Sequence, residues 1–191
     1  MSNKTVKLAK RPAAEDRNSV TLELDERALE SARQNLGDGA VTPAYGPWRE
    51  PIIKLLNDAL ATELVCVLRY KRHHFTAHGL ASPAIAAEFM VHAQEEAAHG
   101  DLLAERIVQL GGEPDFSPAT LLARSHADYD DSTSLTAMVR ANLVAERVAI
   151  ESYRQMIALV ADKDPTTRRI LEQILADEEE HADELKDMLE E

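Results

Sequence analysis

Apolar residues recur at steps of three and four along most of the chain after residue 47, which is the spacing of one helix face. Four stripes of this kind predict four long helices. The first is predicted at about residues 48–78, the second from Ser82 to the glycines at 111–112, the third from Ser134 to about Ala161, and the fourth from Asp164 almost to the end. Pro83 and Pro165 stand where the second and fourth helices begin, a position that suits proline.

The lengths of the connections predict how these helices are arranged. Short turns join the first helix to the second and the third to the fourth, so each pair should form an antiparallel hairpin. The middle connection, at about residues 113–132, is long for a compact domain and could run the full length of a bundle. The prediction is an all-α fold, an antiparallel four-helix bundle with one long crossover between two hairpins.

Residues 1–46 lack this periodicity and are predicted to be an N-terminal extension to a bundle domain at residues 47–191. The first twenty residues are basic and carry almost no apolar periodicity, so we expect the extension to be partly disordered. Residues 21–36 contain helix-forming residues before Gly37 and predict a short helix. The segment GDGAVTPAYGP, rich in glycine and proline, is interpreted as a linker.

Each of the four apolar stripes is interrupted near its middle by a glutamate, and the second and fourth stripes also by a histidine. The interrupting residues are Glu63 in the first stripe, Glu96 and His99 in the second, Glu146 in the third, and Glu178 and His181 in the fourth. Burying a carboxylate is unfavourable unless it is paired or bound to a cation, and four such interruptions require a common cause. A pair of metal ions supplies one, because carboxylates and imidazoles together suit iron, manganese or zinc.

The spacing of these residues repeats in the two halves of the bundle. The first Glu of each half is followed by the second after 33 residues in one half and 32 in the other. Tyr70 and Tyr153 each lie seven residues after the first Glu of their half. Both Glu-x-x-His pairs put two ligands on one helix face. This ligand set is known from di-iron and di-manganese carboxylate bundles, so the sequence predicts a di-metal site between two similar hairpins.

The charge and the cysteine content narrow the choice of function. The formal net charge is −13, which disfavours general binding to nucleic acid phosphates and favours cationic ligands. The single cysteine, Cys66, cannot form an intrachain disulfide. The N-terminus lacks the apolar region of a secretory signal, and no stretch reaches the ~18–20 uncharged residues of a membrane span. We therefore expect a cytoplasmic protein with no membrane partner.

Three segments of the chain resemble the bacterioferritin branch of the ferritin-like superfamily. They are LLNDALATELVCVLRY in the first helix, EEAAHGDLLAERIVQLGGEP in the second and ILADEEEHADELKDML in the fourth. The resemblance covers residues 48–190 and implies a ferritin-like bundle that binds two iron ions per subunit, with manganese or zinc as alternatives. It implies the following roles: Glu63 and Glu146 as terminal carboxylates, Glu96 and Glu178 as bridging carboxylates, His99 and His181 as imidazole ligands, and Tyr70 as the catalytic tyrosine beside the metals.

The sequence departs from bacterioferritins at two places. Those proteins carry a haem-binding methionine directly after the second-helix Glu, where this chain has Ala97, so we expect no haem. They also have a fifth helix that contributes to the pores of a 24-subunit cage, whereas ten residues follow His181 here. The chain looks more like twelve-subunit mini-ferritins with a bacterioferritin-type site, so we favour a 12-mer over a 24-mer. Those proteins often carry a paired-cysteine motif, which Cys66 alone cannot supply.

The resemblance implies a ferroxidase that oxidises Fe(II) with dioxygen or hydrogen peroxide and stores the product iron. One alternative is a rubrerythrin-like di-iron peroxidase or oxidase without storage. Another is a DNA-protecting mini-ferritin whose basic N-terminal tail binds DNA; the basic residues are Lys4, Lys7, Lys10, Arg11 and Arg17. The usual starved-cell DNA-binding mini-ferritins place their metal site between subunits, and the complete ligand set within this chain disfavours that branch.

Other polar residues near the predicted site each have two interpretations. His92 lies one turn before Glu96 and could hydrogen-bond a metal ligand, although an ordinary histidine of the core or surface is favoured. Asn142 could bond a ligand or cap a polar pocket. The histidines at the end of the first helix, His73, His74 and His78, could line an iron entry path, but we favour exposed histidines. The charges Glu95, Glu179 and Glu180 are interpreted as outward-facing.

Overall fold

The structure, a computed structural model, describes residues 23–190, and every regular element in that range is helical. The helices are α1 at Glu26–Ser31, α2 at Arg49–Thr76, α3 at Ser82–Gln109, α4 at Leu121–Arg124, α5 at Leu135–Val160 and α6 at Pro165–Glu190. The predicted all-α class is confirmed, and α2, α3, α5 and α6 are the four predicted long helices. The expected disorder of residues 1–20 concerns residues outside the described range. Among the described helices, none combines the length and the apolar character that a bilayer span requires.

Capping groups fix the ends of the long helices close to the predicted positions. At the start of α5, Ser134 accepts a hydrogen bond from the backbone N–H of Ala137. At the start of α6, the Asp164 carboxylate accepts one from the N–H of Thr167 at 3.0 Å. Gly111 follows α3 with a φ of +77°, a conformation that favours glycine after a helix.

The long connection between α3 and α5 crosses the bundle along the side of α2. Four hydrogen bonds mark its course: Arg124 Nη1 to the Asn57 carbonyl (2.7 Å), the His126 N–H to Thr62 Oγ1 (3.0 Å), Arg69 Nη1 to the Asp128 carbonyl (3.1 Å) and Arg72 Nη1 to the Ser132 carbonyl (3.0 Å). The connection therefore links two antiparallel hairpins, α2–α3 and α5–α6, as predicted. It contains α4, which is too short to show a helical period in the sequence.

Most buried apolar residues form two large clusters, one on each side of a polar layer, and a small third cluster joins Ala61 and Val65 of α2 to Leu121 of α4. The first includes Leu56, Leu60, Leu103, Ile107 and Ile174. The second includes Tyr70, Phe89, Met138, Val139 and Leu185. The predicted ligands belong to the layer between them, so close-packed apolar side chains enclose these ligands from both ends of the bundle.

The segment before α2 differs from its prediction. The helix α1 is only six residues long and buries none of them. The predicted linker contains a 3-10 helix, Pro43–Trp48, that packs on the bundle. The Tyr45 hydroxyl accepts a hydrogen bond from Arg106 Nη2 at 3.1 Å, and the Lys163 ammonium lies 5.0 Å from the centre of the Trp48 ring. Glycine and proline indicate an irregular backbone, but an irregular segment has no period that reveals which of its side chains pack.

Replacing Ala161 by glycine is expected to stabilise the protein by about 1 kcal/mol. Ala161 ends α5 with φ +47° and ψ −119°, a conformation that is strained for any residue with a Cβ. Thermal unfolding of the two proteins at equal concentration measures the change. The control is Ala158→Gly, which puts glycine inside the same helix and should destabilise. A lower melting temperature for Ala161→Gly would contradict the strain argument.

Candidate metal centre

The six predicted ligands from four helices converge in the polar layer of the bundle. Glu63 comes from α2, Glu96 and His99 from α3, Glu146 from α5, and Glu178 and His181 from α6. All six residues are buried, with 4% or less of their surface exposed. The six residues converge because each apolar stripe faces the bundle axis. The residues that interrupt the stripes therefore point inward, at similar positions along that axis.

The candidate ligand atoms form two groups that share two carboxylates. One group consists of Glu63, Glu96, His99 and Glu178, and the other of Glu96, Glu146, Glu178 and His181. Within each group the candidate ligand atoms lie within 4.8 Å of one another. Glu96 and Glu178 belong to both groups, so they stand where a carboxylate could bridge two ions.

Most of the polar atoms that face this space have no hydrogen-bond partner among the described residues. These atoms are Glu63 Oε2, Glu146 Oε2, both carboxylate oxygens of Glu96 and of Glu178, and the Nδ1 atoms of His99 and His181. An unpaired buried polar atom costs about 1–3 kcal/mol, and native proteins contain few of them. Eight such atoms directed at one space form a set of oxygen and nitrogen donors that fits bound cations.

Each histidine of the centre is held from behind by a carboxylate of the opposite hairpin. His99 Nε2 lies 3.2 Å from Asp177 Oδ2, and His181 Nε2 lies 3.0 Å from Glu95 Oε2. These contacts assign an N–H to Nε2 and direct Nδ1 at the centre, as in metal-binding histidines. The sequence does not predict a role for Asp177. It predicts only an outward-facing charge at Glu95, which in addition bonds His181. One feature of the sequence could have identified both residues: each of them directly precedes the Glu of a Glu-x-x-His pair.

Two tyrosines exchange hydrogen bonds between the hairpins in a similar way. Tyr70 of α2 donates to Glu146 of α5, and Tyr153 of α5 donates to Glu63 of α2 at 2.5 Å. Each tyrosine therefore positions a carboxylate that belongs to only one ligand group. Burial, followed by the charge of the bonded carboxylate, raises the pKa of both phenols well above their ordinary value. Both side chains are thus neutral hydrogen-bond donors.

The carboxylates differ in pKa because they share one small space. Burial raises the pKa of Glu96 and of Glu146 well above the usual range, and the charge of Glu178 adds to the rise. Burial alone would also raise the pKa of Glu178, but the nearby imidazoles of His181 and His99 lower it overall. Burial would lower the pKa of His99, yet the surrounding carboxylates of Glu178, Glu63 and Glu96, which lie 3.2–3.5 Å from its Nδ1, raise it. Protons and metal ions therefore compete for the same donor atoms.

A second buried polar network lies beside the centre, and of its members only Asn142 was expected to belong to a polar pocket. Arg69 is fully buried, and its Nε donates to Asn142 Oδ1 at 2.7 Å. The Asn142 amide nitrogen lies 3.1 Å from His73 Nδ1, and His73 Nε2 lies 3.2 Å from Asp130 Oδ1. The prediction that His73 is exposed is wrong, because the crossover covers this end of α2. Asn142 uses its amide to join Arg69 to His73.

His92, one turn before Glu96 on α3, is also fully buried. Its Nδ1 lies 3.2 Å from the Tyr70 hydroxyl oxygen, and its Nε2 lies 2.8 Å from Glu184 Oε2. Its ring stacks on that of His181 with 4.2 Å between the ring centroids. His92 is thus a buried histidine that hydrogen-bonds none of the six predicted ligands, but it contacts Tyr70, which positions Glu146, and stacks on His181.

Comparison with known proteins matches this chain to ferritin-like proteins. A family model for the ferritin-like domain matches residues 53–191. A bacterioferritin of Desulfovibrio desulfuricans is 28% identical over 140 residues, which span 68% of this chain and 69% of that protein. A nutrient stress-induced DNA-binding protein of a Synechococcus species is 33% identical over 136 residues, which span 66% of this chain and 74% of that protein.

Solved structures share the fold. The bacterioferritin-related protein of Bacteroides fragilis, a dodecameric thioferritin, has a TM-score of 0.71 and 32% identity, covering 74% of this chain and 85% of that chain. The Dps protein of Thermosynechococcus elongatus has a TM-score of 0.73 at 22% identity, covering 76% of this chain and 94% of that chain. At that identity the second likeness concerns the fold alone.

Proposed function

Since this chain belongs to the ferritin-like domain family, we propose that it oxidises Fe(II) at a di-iron centre and stores the product iron. The oxidant is dioxygen or hydrogen peroxide. The proposed ligands are the six convergent side chains Glu63, Glu96, His99, Glu146, Glu178 and His181. The observation that carries the proposal is the set of eight buried, unpaired oxygen and nitrogen atoms that these side chains direct at one space.

The donor set fits iron in kind and in charge. Carboxylates and imidazoles suit Fe(II), as they do Mn(II) and Zn(II). The nearby Cys66 belongs to neither ligand group, and its sulfur accepts a hydrogen bond from Arg69 at 3.4 Å. Four carboxylates balance the charge of two divalent ions, so the loaded centre would be neutral in the low-dielectric interior. Glu96 and Glu178 would serve both ions, and each of the other four ligands would serve one.

The number of electrons that the oxidant accepts favours the oxidation of two Fe(II) ions together. Two Fe(II) ions become two Fe(III) ions, and the two electrons with two protons convert hydrogen peroxide into two water molecules, or dioxygen into hydrogen peroxide. Because one centre supplies both electrons, a one-electron-reduced oxidant need not be released. The chain's own residues keep the ligands in place: Glu95 and Asp177 hold the imidazoles, and Tyr70 and Tyr153 hold the terminal carboxylates.

Tyr70→Phe is expected to slow Fe(II) oxidation about 10–100-fold, the usual effect of removing a partner that orients a metal ligand. The matched control is Tyr153→Phe, which removes the equivalent bond to Glu63. Tyr70, unlike Tyr153, also contacts His92. Stopped-flow absorbance measures both rates. Equal losses would assign both tyrosines to positioning, a larger loss for Tyr70→Phe would assign it a further role, and no loss in either would contradict the ligand geometry.

We also propose assembly into a twelve-subunit shell around the stored iron. Large apolar side chains remain exposed on the outside of the bundle, among them Leu68 of α2 and Val144 and Leu159 of α5. Exposed apolar surface of this kind is typical of protein contacts. The dodecameric Bacteroides fragilis relative, which aligns with 74% of this chain, supports twelve subunits rather than twenty-four.

Iron loading tests the storage function. Metal-free protein would receive excess Fe(II) and oxidant, and the products would be separated by size-exclusion chromatography with iron detection. Iron far beyond about two ions per chain, the capacity of the centre itself, should co-elute with a large particle. About two ions per chain on a small oligomer would overturn storage and favour the rubrerythrin-like alternative. Absence of both binding and oxidation would overturn the di-iron centre.

DNA binding is a second candidate function, favoured by the 33%-identical Synechococcus relative, a nutrient stress-induced DNA-binding protein. The five basic residues of the N-terminal twenty, which lie outside the described residues, would supply phosphate contacts. Assembly would multiply these contacts by the number of subunits. A gel-shift assay would compare the full chain with one that lacks residues 1–20. A shift that only the full chain produces would support this function, and no shift with either would overturn it.

A further inference from the structure

A groove between α3 and α6 opens on the surface directly outside the candidate metal centre. A cavity of about 200 Å³ occupies this groove, and carboxylates of both helices line it. Two of them, Glu95 and Asp177, bond the histidines of the centre. Glu88 and Glu184 instead face His92, which is not one of the six proposed ligands.

Hydrogen bonding sets the orientation of the His92 ring. The Tyr70 hydroxyl donates its one proton to Glu146, so its oxygen is an acceptor toward His92 Nδ1, 3.2 Å away. A proton on Nδ1 satisfies this contact, so a metal ion that takes the place of the proton shared by Nε2 and Glu184 would leave the ring fully bonded. Nε2 lies 2.8 Å from Glu184 Oε2 and 3.7 Å from Glu88 Oε1. Once that proton is replaced, three acceptor atoms surround one point, an arrangement that binds a cation.

We propose that Glu88, His92 and Glu184 form a separate site for a divalent first-row transition metal such as Fe(II), Zn(II) or Co(II). Their ligand atoms lie within 4.8 Å of one another. The burial of His92 fixes its ring in place, whereas the Glu88 and Glu184 side chains are 35% and 43% exposed and leave coordination positions open to water. An imidazole with two carboxylates suits these metals better than Mg²⁺ or Ca²⁺, which prefer oxygen ligands.

This groove site shares no ligand with the proposed di-iron centre, yet it lies against it. His92 stacks on His181, and it contacts Glu146 through Tyr70. Only the His92 ring would therefore separate a metal ion bound to its Nε2 from the di-iron ligands. The groove site goes beyond the proposed function and stands on different residues, so either could fail without the other.

A Co(II) titration of the metal-free full-length protein tests the groove site, with visible absorption and equilibrium dialysis as readouts. We expect three Co(II) ions per chain in the unmodified protein and two in the Glu88→Gln/Glu184→Gln variant. The matched control is Glu105→Gln/Glu179→Gln, which removes two carboxylates from exposed positions of the same helices and should still bind three. Equal stoichiometry in the variant and the control would overturn the proposal.

The design separates this result from failure of the di-iron centre. If the inner ligands bound no metal, every protein would lose two ions, but the difference of one ion between variant and control would persist. Anomalous diffraction from crystals soaked in Zn(II) locates the ion. We expect a peak between Glu88, His92 and Glu184 that the double variant lacks. A third ion located elsewhere on the chain would overturn the assignment.

Discussion

The Glu96→Gln variant is expected to lose rapid Fe(II) oxidation and, without metal, to be more stable than the unmodified protein. Glu96 is fully buried and belongs to both ligand groups, so an amide there removes a charge and a ligand oxygen from both proposed iron positions. Loss of a bridging ligand should exceed the roughly 10–100-fold effect of losing an outer partner of a ligand. Stopped-flow absorbance after mixing with Fe(II) and oxidant measures the rate.

The gain in stability has a separate cause. Both carboxylate oxygens of Glu96 lack a hydrogen-bond partner among the described residues, and burial followed by the charge of Glu178 raises its pKa. An unpaired buried acceptor costs about 1–3 kcal/mol. Glutamine keeps the shape of the side chain and adds two N–H donors that can bond the neighbouring carboxylates. A gain of about 1 kcal/mol raises the melting temperature of a chain of this size by about 2–4 °C.

Glu105→Gln, on the exposed face of the same helix, is the control and should change neither property. Unchanged oxidation in Glu96→Gln would sink the assignment of Glu96 as a ligand. A lower melting temperature would indicate that the carboxylate supports the fold. Opposite effects on rate and stability are expected of a residue that is retained for chemistry although it weakens the folded state.

The ligands could be predicted from the sequence because they violate a pattern. Glu63 and Glu146 interrupt apolar stripes, and a carboxylate in such a stripe has few physical explanations. The residues that hydrogen-bond the ligands, by contrast, fit the helical pattern of apolar and polar positions. Glu95 and Asp177 occupy positions that the helical period assigns to the surface, and their bonds to histidines depend on how α3 packs against α6. A pattern within one helix contains no information about that packing.

Other buried residues could not be predicted because their cover comes from distant parts of the chain. Arg69 and His73 both contact Asn142 of α5, and the crossover adds to their cover through Asp128 and Asp130. Tyr45 lies in an irregular segment whose sequence has no period. Periodicity identifies the side of a helix that faces the bundle axis, but it does not show where an irregular segment will cover the outside.

The repeated spacing of the two halves predicted a pseudo-twofold centre but not the exchange of hydrogen bonds across it. Tyr70 and Asp177 each hold a ligand of the other hairpin, and so do their counterparts Tyr153 and Glu95. Neither hairpin can therefore orient its own ligands. The centre forms only when the hairpins dock, which couples the geometry of the ligands to the packing of the whole bundle.

Asp164→Ala is expected to lower the free energy of unfolding by about 3–5 kcal/mol, the usual effect of removing one partner of a buried ion pair. Arg106 Nη2 donates to both Asp164 oxygens at 2.8 Å, and both residues are buried. Without the carboxylate, the Arg106 charge would keep only neutral partners such as Thr167 and Tyr45. The start of α6 would also lose its cap.

Denaturant unfolding at fixed protein concentration measures this loss, with the exposed neighbour Asp162→Ala as the matched control. The control should be close to neutral, because a surface carboxylate without buried partners contributes little. A loss below about 1 kcal/mol in Asp164→Ala, the typical effect of a missing helix cap alone, would contradict the ion-pair argument.

The same pair predicts how stability responds to acid. Burial alone would raise the pKa of Asp164, but hydrogen bonds from Arg106 and Thr167 lower it below its ordinary value. A depressed folded-state pKa contributes stability that is fully present above the unfolded-state value, about 3.9, and is lost as the pH falls through the folded-state value. The stability difference between the unmodified protein and Asp164→Asn should therefore be constant near neutral pH and shrink below about pH 4. A difference that stays constant into that acid range would contradict the assignment, since Arg106 remains charged throughout and Asp164 is the titrating partner.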